Sequence, residues 1–291
     1  MQDFKGKTAV ITGGASGIGL AIAERLAREG MNLVLGDIEQ AALDRAVAAI
    51  TAHGTRAIGV VTDVTRFEDV VELERRAVEA FGKVHVLCNN AGVGPQEDVP
   101  MWELPLSDWR WTFAVNVWGV IHGVKAFVPG MLAHGEAGHV VNTSSGNGGL
   151  IVLPTTPVYA TSKSAVSTLT EALHFQLSGM SAKIKASVLY PGPNIVTSNI
   201  FTASRNRLPE FTRETPQVMP PITLDMIRQF AEAGGKPLAT TTPAEVAEHF
   251  FDGLCADRYY ILPASADGDR RIRERTEGVL ARRDPVPANV F

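Results

Sequence analysis

Seven short apolar runs, at residues 8–11, 32–36, 57–61, 84–88, 139–143, 184–189 and 258–262, are each followed by a segment of helical period long enough to cross back over a sheet. Strands joined in that way pair in parallel, and a parallel sheet needs helices on both of its faces because its strands are apolar on both. The pattern predicts a doubly wound α/β fold, a seven-stranded parallel sheet in a single domain. With 291 residues, 45% of them hydrophobic, the chain can bury one substantial core.

Helices are expected at 21–27, at 39–53 and 67–81 with Gly54 and Gly82 as stops, at 107–131 capped by Ser107, and at 156–180. Another starts at Thr242-Pro243-Ala244-Glu245, a capping box with proline in the first turn. Residues 194–241 read differently, with prolines at 209, 216, 220, 221 and 237, few strand signals and one helix at 224–233. A long segment of this kind at a ligand-binding edge is expected to be a lid. After Pro263, residues 267–283 are rich in Arg and Glu at helical spacing, which fits a solvated or interface helix.

Gly13, Asp37, Asp63, Asn90, Ser145 and Pro191 each follow the C-terminal end of a different predicted strand. Open α/β sheets bind ligands along that edge. Between the first strand and the first helix lies Thr12-Gly13-Gly14-Ala15-Ser16-Gly17-Ile18-Gly19, where Gly13, Gly17 and Gly19 permit a tight turn and close approach to a pyrophosphate. The same spacing also fits an ordinary strand–helix loop. Asp37 ends the second strand, where a carboxylate can accept from both ribose hydroxyls of NAD and repel the 2′-phosphate of NADP, or can cap the next helix. Asp63, before Val64, has an adenine contact and a turn role open to it. Asn90-Ala91-Gly92 offers small side chains where a cofactor must pass closely. Residues 1–263 are accordingly expected to form a dinucleotide-binding catalytic domain containing the lid, with 264–291 a C-terminal helical extension.

Tyr159 and Lys163, four apart, share a helix face. A phenol titrates near ~10, and a nearby ammonium favours its ionised form, so the pair is expected to act as an acid/base with a lowered phenol pKa. A serine hydroxyl from Ser144-Ser145 can hold a carbonyl or alcohol oxygen beside it. Asn116, mid-helix between Val115 and Val117, is either solvated or buried in a hydrogen-bonded water path.

With these residues in view, the chain resembles the short-chain dehydrogenase/reductase family over about residues 5–263, a Rossmann-like fold. The resemblance rests on Thr12-Gly13-x-x-x-Gly17-x-Gly19, Asn89-Asn90-Ala91-Gly92, Asn116, Ser145, Tyr159-x-x-x-Lys163 and Pro191-Gly192. It implies that Tyr159 is the acid/base and that Lys163 lowers its pKa and binds the nicotinamide ribose. It further implies that Ser145 orients the substrate oxygen and Asn116 organises a relay water. Ser145, three before Gly148, is preferred to Ser144. Cofactor contacts are implied at Gly13, Ser16, Gly17, Ile18, Gly19, Asp37, Asp63, Val64, Asn90, Ala91, Gly92, Tyr159, Lys163, Pro191, Gly192 and Val196. The loop Pro191-Gly192-Pro193-Asn194-Ile195-Val196-Thr197-Ser198 can be registered on the family pattern from either proline. The lid text Ser198–Arg205 is similar to that of members oxidising bulky aryl carbinols.

The formal charge of −4 and pI near 6.0 offer no basic field for nucleic acid. Cys88 and Cys255 are the only cysteines and are expected to be buried thiols, with no disulfide and no metal cluster. No apolar run at the N-terminus is long enough for a signal peptide or membrane span, so a cytoplasmic location is expected. Helices 107–131 and 156–180 carry apolar residues on more faces than one sheet covers, which predicts a homodimer or homotetramer. The expected activity is NAD-dependent interconversion of a secondary alcohol and a ketone. A double-bond or imine reductase and an idle cofactor-sensing protein are the alternatives. Expected pocket residues are Val93, Gly94, Pro95, Asn147, 150–153, Tyr190, Ile195, Ile200 and Phe201, mostly apolar and with no arginine, which favours a hydrophobic, bulky substrate over a free acid or sugar phosphate.

Overall fold

The computed structural model describes every residue except Gln2, Pro221, Lys236 and 288–291, so Pro221 of the predicted lid and the last four residues of the predicted extension lie outside the described residues. In chain order the elements are β1 (Thr8–Thr12), α1 (Gly17–Arg28), β2 (Asn32–Asp37), α2 (Gln40–Thr51), β3 (Ala57–Val61), α3 (Phe67–Phe81), β4 (Val86–Asn89) and α4 (Leu106–Phe113). They continue with α5 (Gly119–His134), β5 (Gly138–Thr143), the single irregular turn α6 (Gly146–Gly149), α7 (Pro157–Gly179), β6 (Ile184–Leu189) and β7 (Ile195–Val196). The last are α8 (Leu224–Ala233), β8 (Thr240–Thr241), α9 (Pro243–Cys255), β9 (Tyr260–Ile261) and α10 (Ala266–Leu280).

Among the described residues the main sheet has seven strands in the order β3-β2-β1-β4-β5-β6-β9. Every neighbouring pair is parallel, with Val10 opposite both Val34 and Leu87. The order reverses between β1 and β4, and a crevice opens at such a switch point beyond the strand ends. Alternation along each strand fills two cores. Ala9, Ile11, Leu33 and Leu35 point to one face with Ile22 and Leu26 of α1 and Phe250 and Leu254 of α9. Val10 and Val34 point to the other with Leu73 of α3, Phe127 of α5 and Leu173 of α7. Burying each of the Val, Leu, Ile and Phe side chains contributes about 1.5–3 kcal/mol, which fixes the register because a one-residue slip would exchange the two faces.

Three sequence expectations change. The helix predicted at 107–131 comes in three pieces, with a five-residue π-helical segment (Ala114–Trp118) between α4 and α5. Ser107 does not cap it: the helix begins at Leu106, and Ser107 donates its hydroxyl and, at 3.0 Å, its N–H to the Glu214 carboxylate. The lid contains a short parallel pair, β7 with β8, and 3₁₀ turns at Asn199–Asn206 and Pro209–Phe211 besides the expected α8. Cys88 is buried, but Cys255 is only half-buried. α10 has no buried residue and touches the body through Arg275 Nη1, which donates to the Leu150 carbonyl at 2.7 Å. No helix among the described residues is long and apolar enough to cross a membrane.

Candidate active site

The glycine turn closes over the C-terminal end of β1. Gly13 and Gly17 have φ of +62° and +54°, a region that favours glycine. A Cβ at Gly19 would stand 2.1 Å from the Gly13 carbonyl oxygen, so the third glycine is dictated by the turn itself. Ser16 occupies the N-cap of α1, its carbonyl accepting from the Leu20 N–H at 3.2 Å but its side chain capping nothing, and half-buried Ile18 lies in the first turn. The first N–H groups of α1 therefore have no side-chain acceptor and form an anion-binding end. No basic side chain stands in this turn.

Asp37 Oδ2 accepts from the Ala15 N–H at 3.0 Å, tying the end of β2 to the turn, and Oδ1 accepts from the Glu39 N–H at 3.2 Å. Burial pushes its carboxyl above the usual range, opposed by those two N–H groups. Asp63 Oδ1 accepts from the Thr65 N–H at 2.9 Å, the turn role left open above, and Val64 is buried. Asn90 Nδ2 donates to the carbonyls of Thr12 and Gly13 at 3.1 and 3.3 Å, while Thr12 Oγ1 accepts from the N–H of Asn90 and of Ala91. The small residues after β4 thus lock the glycine turn. A Cβ at Gly17 would lie 3.6 Å from Ser198 Cβ, which brings the end of the Pro191–Ser198 loop over the turn. Gly192 is buried, Pro191 is half-buried, and Val196 lies in β7.

The two serines after β5 separate cleanly. Ser144 Oγ donates to the Lys163 carbonyl at 2.8 Å and contacts Ser167 Oγ at 2.8 Å, so it braces α7. The Ser145 hydroxyl lies close enough to the Tyr159 phenol to favour its ionised form. Lys163 is 3% exposed, donates Nζ to the Thr143 carbonyl at 2.9 Å, and lies 5.8 Å from the Tyr159 ring centroid. Burial pushes its pKa down to about 8. The expected lowering of the phenol pKa by Lys163 is absent here. Burial pushes Tyr159 above its ordinary value, and the opposing influence is the Ser145 hydroxyl.

Asn116 is fully buried in the π-helical segment. Its Oδ1 accepts from the Val93 N–H at 2.8 Å, and both Nδ2 hydrogens are used, on the Val93 carbonyl and on Ser162 Oγ, each at 2.9 Å. The side chain therefore pins the 93 loop to α7 and keeps no hydrogen for the relay water. π-helical turns recur at functional sites, and this one aims the amide inward.

Sequence reasoning missed Glu97. Its carboxylate accepts from the N–H groups of Val158 and Tyr159 at 2.8 and 3.1 Å. α7 opens with Pro157, which has no N–H, and Thr156 Oγ1 is taken by Asn147 Nδ2 at 2.7 Å. Glu97 is thus the acceptor for the open end of the helix that carries Tyr159. Burial pushes its pKa up to about 7 against those two bonds.

The expected pocket is corrected in three places. A cavity near Tyr159 is lined by Gly94, Pro95, Gln96, Trp111, Phe201, Ser204, Arg207 and Gln217, so an arginine is present. Tyr190 donates to Ser167 Oγ and faces a separate cleft with Tyr259 and Tyr260. Asn147 closes its own loop, accepting from the Leu153 N–H at 3.0 Å.

A family profile described as short chain dehydrogenase matches residues 7–207. The chain is 33% identical over 272 residues to 1-deoxy-11-beta-hydroxypentalenate dehydrogenase of Streptomyces avermitilis, covering 94% of this chain and 89% of that one. It is similar to the crystal structure of a short-chain dehydrogenase/reductase from Burkholderia phymatum in complex with NAD, with TM-score 0.90 and 40% identity, covering 100% of both chains. It is also similar to the apo form of LigO from Sphingobium sp. strain SYK-6, with TM-score 0.75 and 29% identity, covering 97% of this chain and 91% of that one.

Proposed function

The chain belongs to the short-chain dehydrogenase family, and from that premise we propose that it interconverts a hydrophobic, bulky secondary alcohol and its ketone with NAD as cofactor and Tyr159 as acid/base. The observation that carries this reading is the Tyr159 phenol with the Ser145 hydroxyl close beside it and buried Lys163 on the same helix. NAD, when bound, supplies or accepts the hydride. Gly13, Gly17, Gly19 and the open end of α1 would hold its pyrophosphate, and Asp37 its adenosine ribose. Ser145 holds the substrate oxygen beside the phenol, and Tyr159 gives that oxygen a proton in reduction or takes one in oxidation. Lys163 places a positive charge beneath, fixed by the Thr143 carbonyl. Apolar Val93, Ile200 and Phe201 near Gly94 support a hydrophobic substrate. A panel of secondary alcohols from 2-propanol to bulky aryl carbinols, assayed with NAD, tests the reading. Highest kcat/KM on the smallest alcohols or on polyols would defeat the bulky-substrate part.

NAD is expected to exceed NADP in kcat/KM by at least about tenfold, since a 2′-phosphate would meet the Asp37 carboxylate. The nearest lid arginine does not offset this: Arg205 Nη2 is already paired with Glu39 at 2.7 Å. Asp37→Ser should narrow the ratio. A wild-type preference for NADP would show that Asp37 turns away from the ribose.

The same reading includes a homodimer or homotetramer. Trp118 is 54% exposed at the end of the π-helical segment, and Phe175 is 63% exposed on α7. Large apolar side chains at that exposure favour an interface. Sedimentation at micromolar concentration should show no single monomeric species.

A further inference from the structure

The lid carries a buried ionic cluster that the chemistry above does not use. Arg207 Nη1 donates to Asp108 Oδ1 and Arg207 Nε to the Phe211 carbonyl, both at 2.6 Å, with the guanidinium over Trp111, 4.9 Å from the ring centroid. Arg213 Nη2 donates to Asp98 Oδ1 at 3.0 Å and lies 3.3 Å from Asp108 Oδ2. Both arginine side chains are 12% exposed. Among the described residues, Arg207 Nη2 and Arg213 Nε and Nη1 are buried without an acceptor. Buried donors are nearly always bonded, and the one buried acceptor without a partner in the cluster, Asp108 Oδ2, lies beside Arg213, so Arg207 Nη2 needs an acceptor from elsewhere.

Of the two, Arg207 lines the cavity beside Tyr159, with Gln96, Trp111, Phe201, Ser204 and Gln217. Gly94, in the same wall, connects it to the reacting group, since a Cβ there would stand 3.5 Å from Tyr159 Cδ2. We propose that this cavity receives the end of the substrate remote from its carbinol carbon, and that the substrate presents there an uncharged oxygen acceptor, an ether, carbonyl or hydroxyl, to Arg207 Nη2. The inference rests on the dehydrogenase reading above and narrows its substrate class.

Charge balance selects the neutral acceptor. Arg207 and Arg213 are matched by Asp108 and Asp98, and the Glu97 carboxyl lies close enough to Asp108 to feel its charge. A substrate carboxylate would add a negative charge to an enclosed cluster that is already balanced, which is costly. A neutral oxygen satisfies the donor without that penalty. Trp111 and Phe201 supply apolar walls for the rest of the group.

The test uses the intact protein with saturating NAD and three matched kinds of secondary alcohol, whose far ends are alkyl, an ether with its oxygen stepped along the chain one atom at a time, or a carboxylate. The best-placed ether is expected to exceed the alkyl compound in kcat/KM by about 10–100-fold, as for a hydrogen bond to a charged donor, and the carboxylate to fall below both. The Arg207→Met, Asp108→Asn double variant should bring the ether/alkyl ratio to near one. General damage to the fold would lower both substrates together and leave the ratio intact. Equal turnover of ether and alkyl by the wild type, survival of the ratio in the double variant, or preference for the carboxylate would overturn the proposal. If none of the alcohols is oxidised with NAD, the dehydrogenase reading falls first and this inference with it.

Discussion

Tyr159→Phe is expected to lower kcat for alcohol oxidation by ~10²–10⁴-fold, the range a positioned acid/base group supplies. NAD affinity should stay within a few-fold, because the glycine turn and Asp37 are untouched. The pH profile gives the second readout. Burial holds the Tyr159 phenol above its ordinary pKa, so at neutral pH it carries its proton. Oxidation needs the ionised form, whose population grows about tenfold per pH unit below the pKa. Oxidative kcat/KM should therefore rise with pH above 7, while reduction, which uses the protonated phenol, stays level until the pH approaches the phenol pKa. Tyr159→Phe should remove this rise along with the activity. Turnover within a few-fold of the parent would show that another group moves the proton.

Gly148→Ala should be the most damaging single methyl addition at the site. Gly148 has φ of +98°, and a Cβ there would stand 2.0 Å from the Ala160 carbonyl oxygen and 2.7 Å from its carbon. Both atoms are backbone, so no side chain can swing aside. Strain of ~1–3 kcal/mol for the left-handed conformation adds to overpacking of ~1–3 kcal/mol, a loss of roughly 3 kcal/mol or more. For a domain of this size that lowers Tm by about 6–12 °C. Relief by separating the Ser145 loop from α7 would also move Ser145 from Tyr159, and a shift of about 1 Å at a site can cost ~10²-fold in rate. Gly146→Ala is the control, since nothing lies within 4 Å of its Cβ. Calorimetry and kcat on the pair decide the matter; a Gly148→Ala protein that melts and turns over like Gly146→Ala would refute the close approach.

What was legible in the sequence follows from locality. A strand buried on both faces must be apolar throughout, so Val10, Val34 and Val140 announce their strands, and the residue after each strand announces the crevice. Gly13, Gly17, Gly19, Ser145, Tyr159 and Lys163 fall along one edge for that reason. What escaped has partners far away in the chain. Arg207 meets Asp108 across 99 positions and Arg213 meets Asp98 across 115, with no local pattern to mark either pair. Ser107 and Thr156 look like helix caps because of their residue type, but Glu214 and Glu97, reaching in from other segments, supply the acceptors. The Lys163–Tyr159 spacing correctly puts both on one helix. It does not reveal that burial raises the phenol with only the Ser145 hydroxyl opposing it, which depends on every element packed around them.

The π-helical segment has a consequence for chain length. Trp111 of α4 packs against Ala203 of the lid, while Phe127 and Met131 of α5 pack into the core on the sheet. Each residue of an α-helix advances the side-chain direction by about 100°. A π-helical turn takes up one residue more than an α turn, so deleting one position from 114–118 would restore an unbroken helix and leave the faces of α4 and α5 in step. The pocket wall at Trp111 and the packing at Phe127 therefore depend less on the length of this segment than do the hydrogen bonds of Asn116 to Val93 and Ser162, which the widened turn carries.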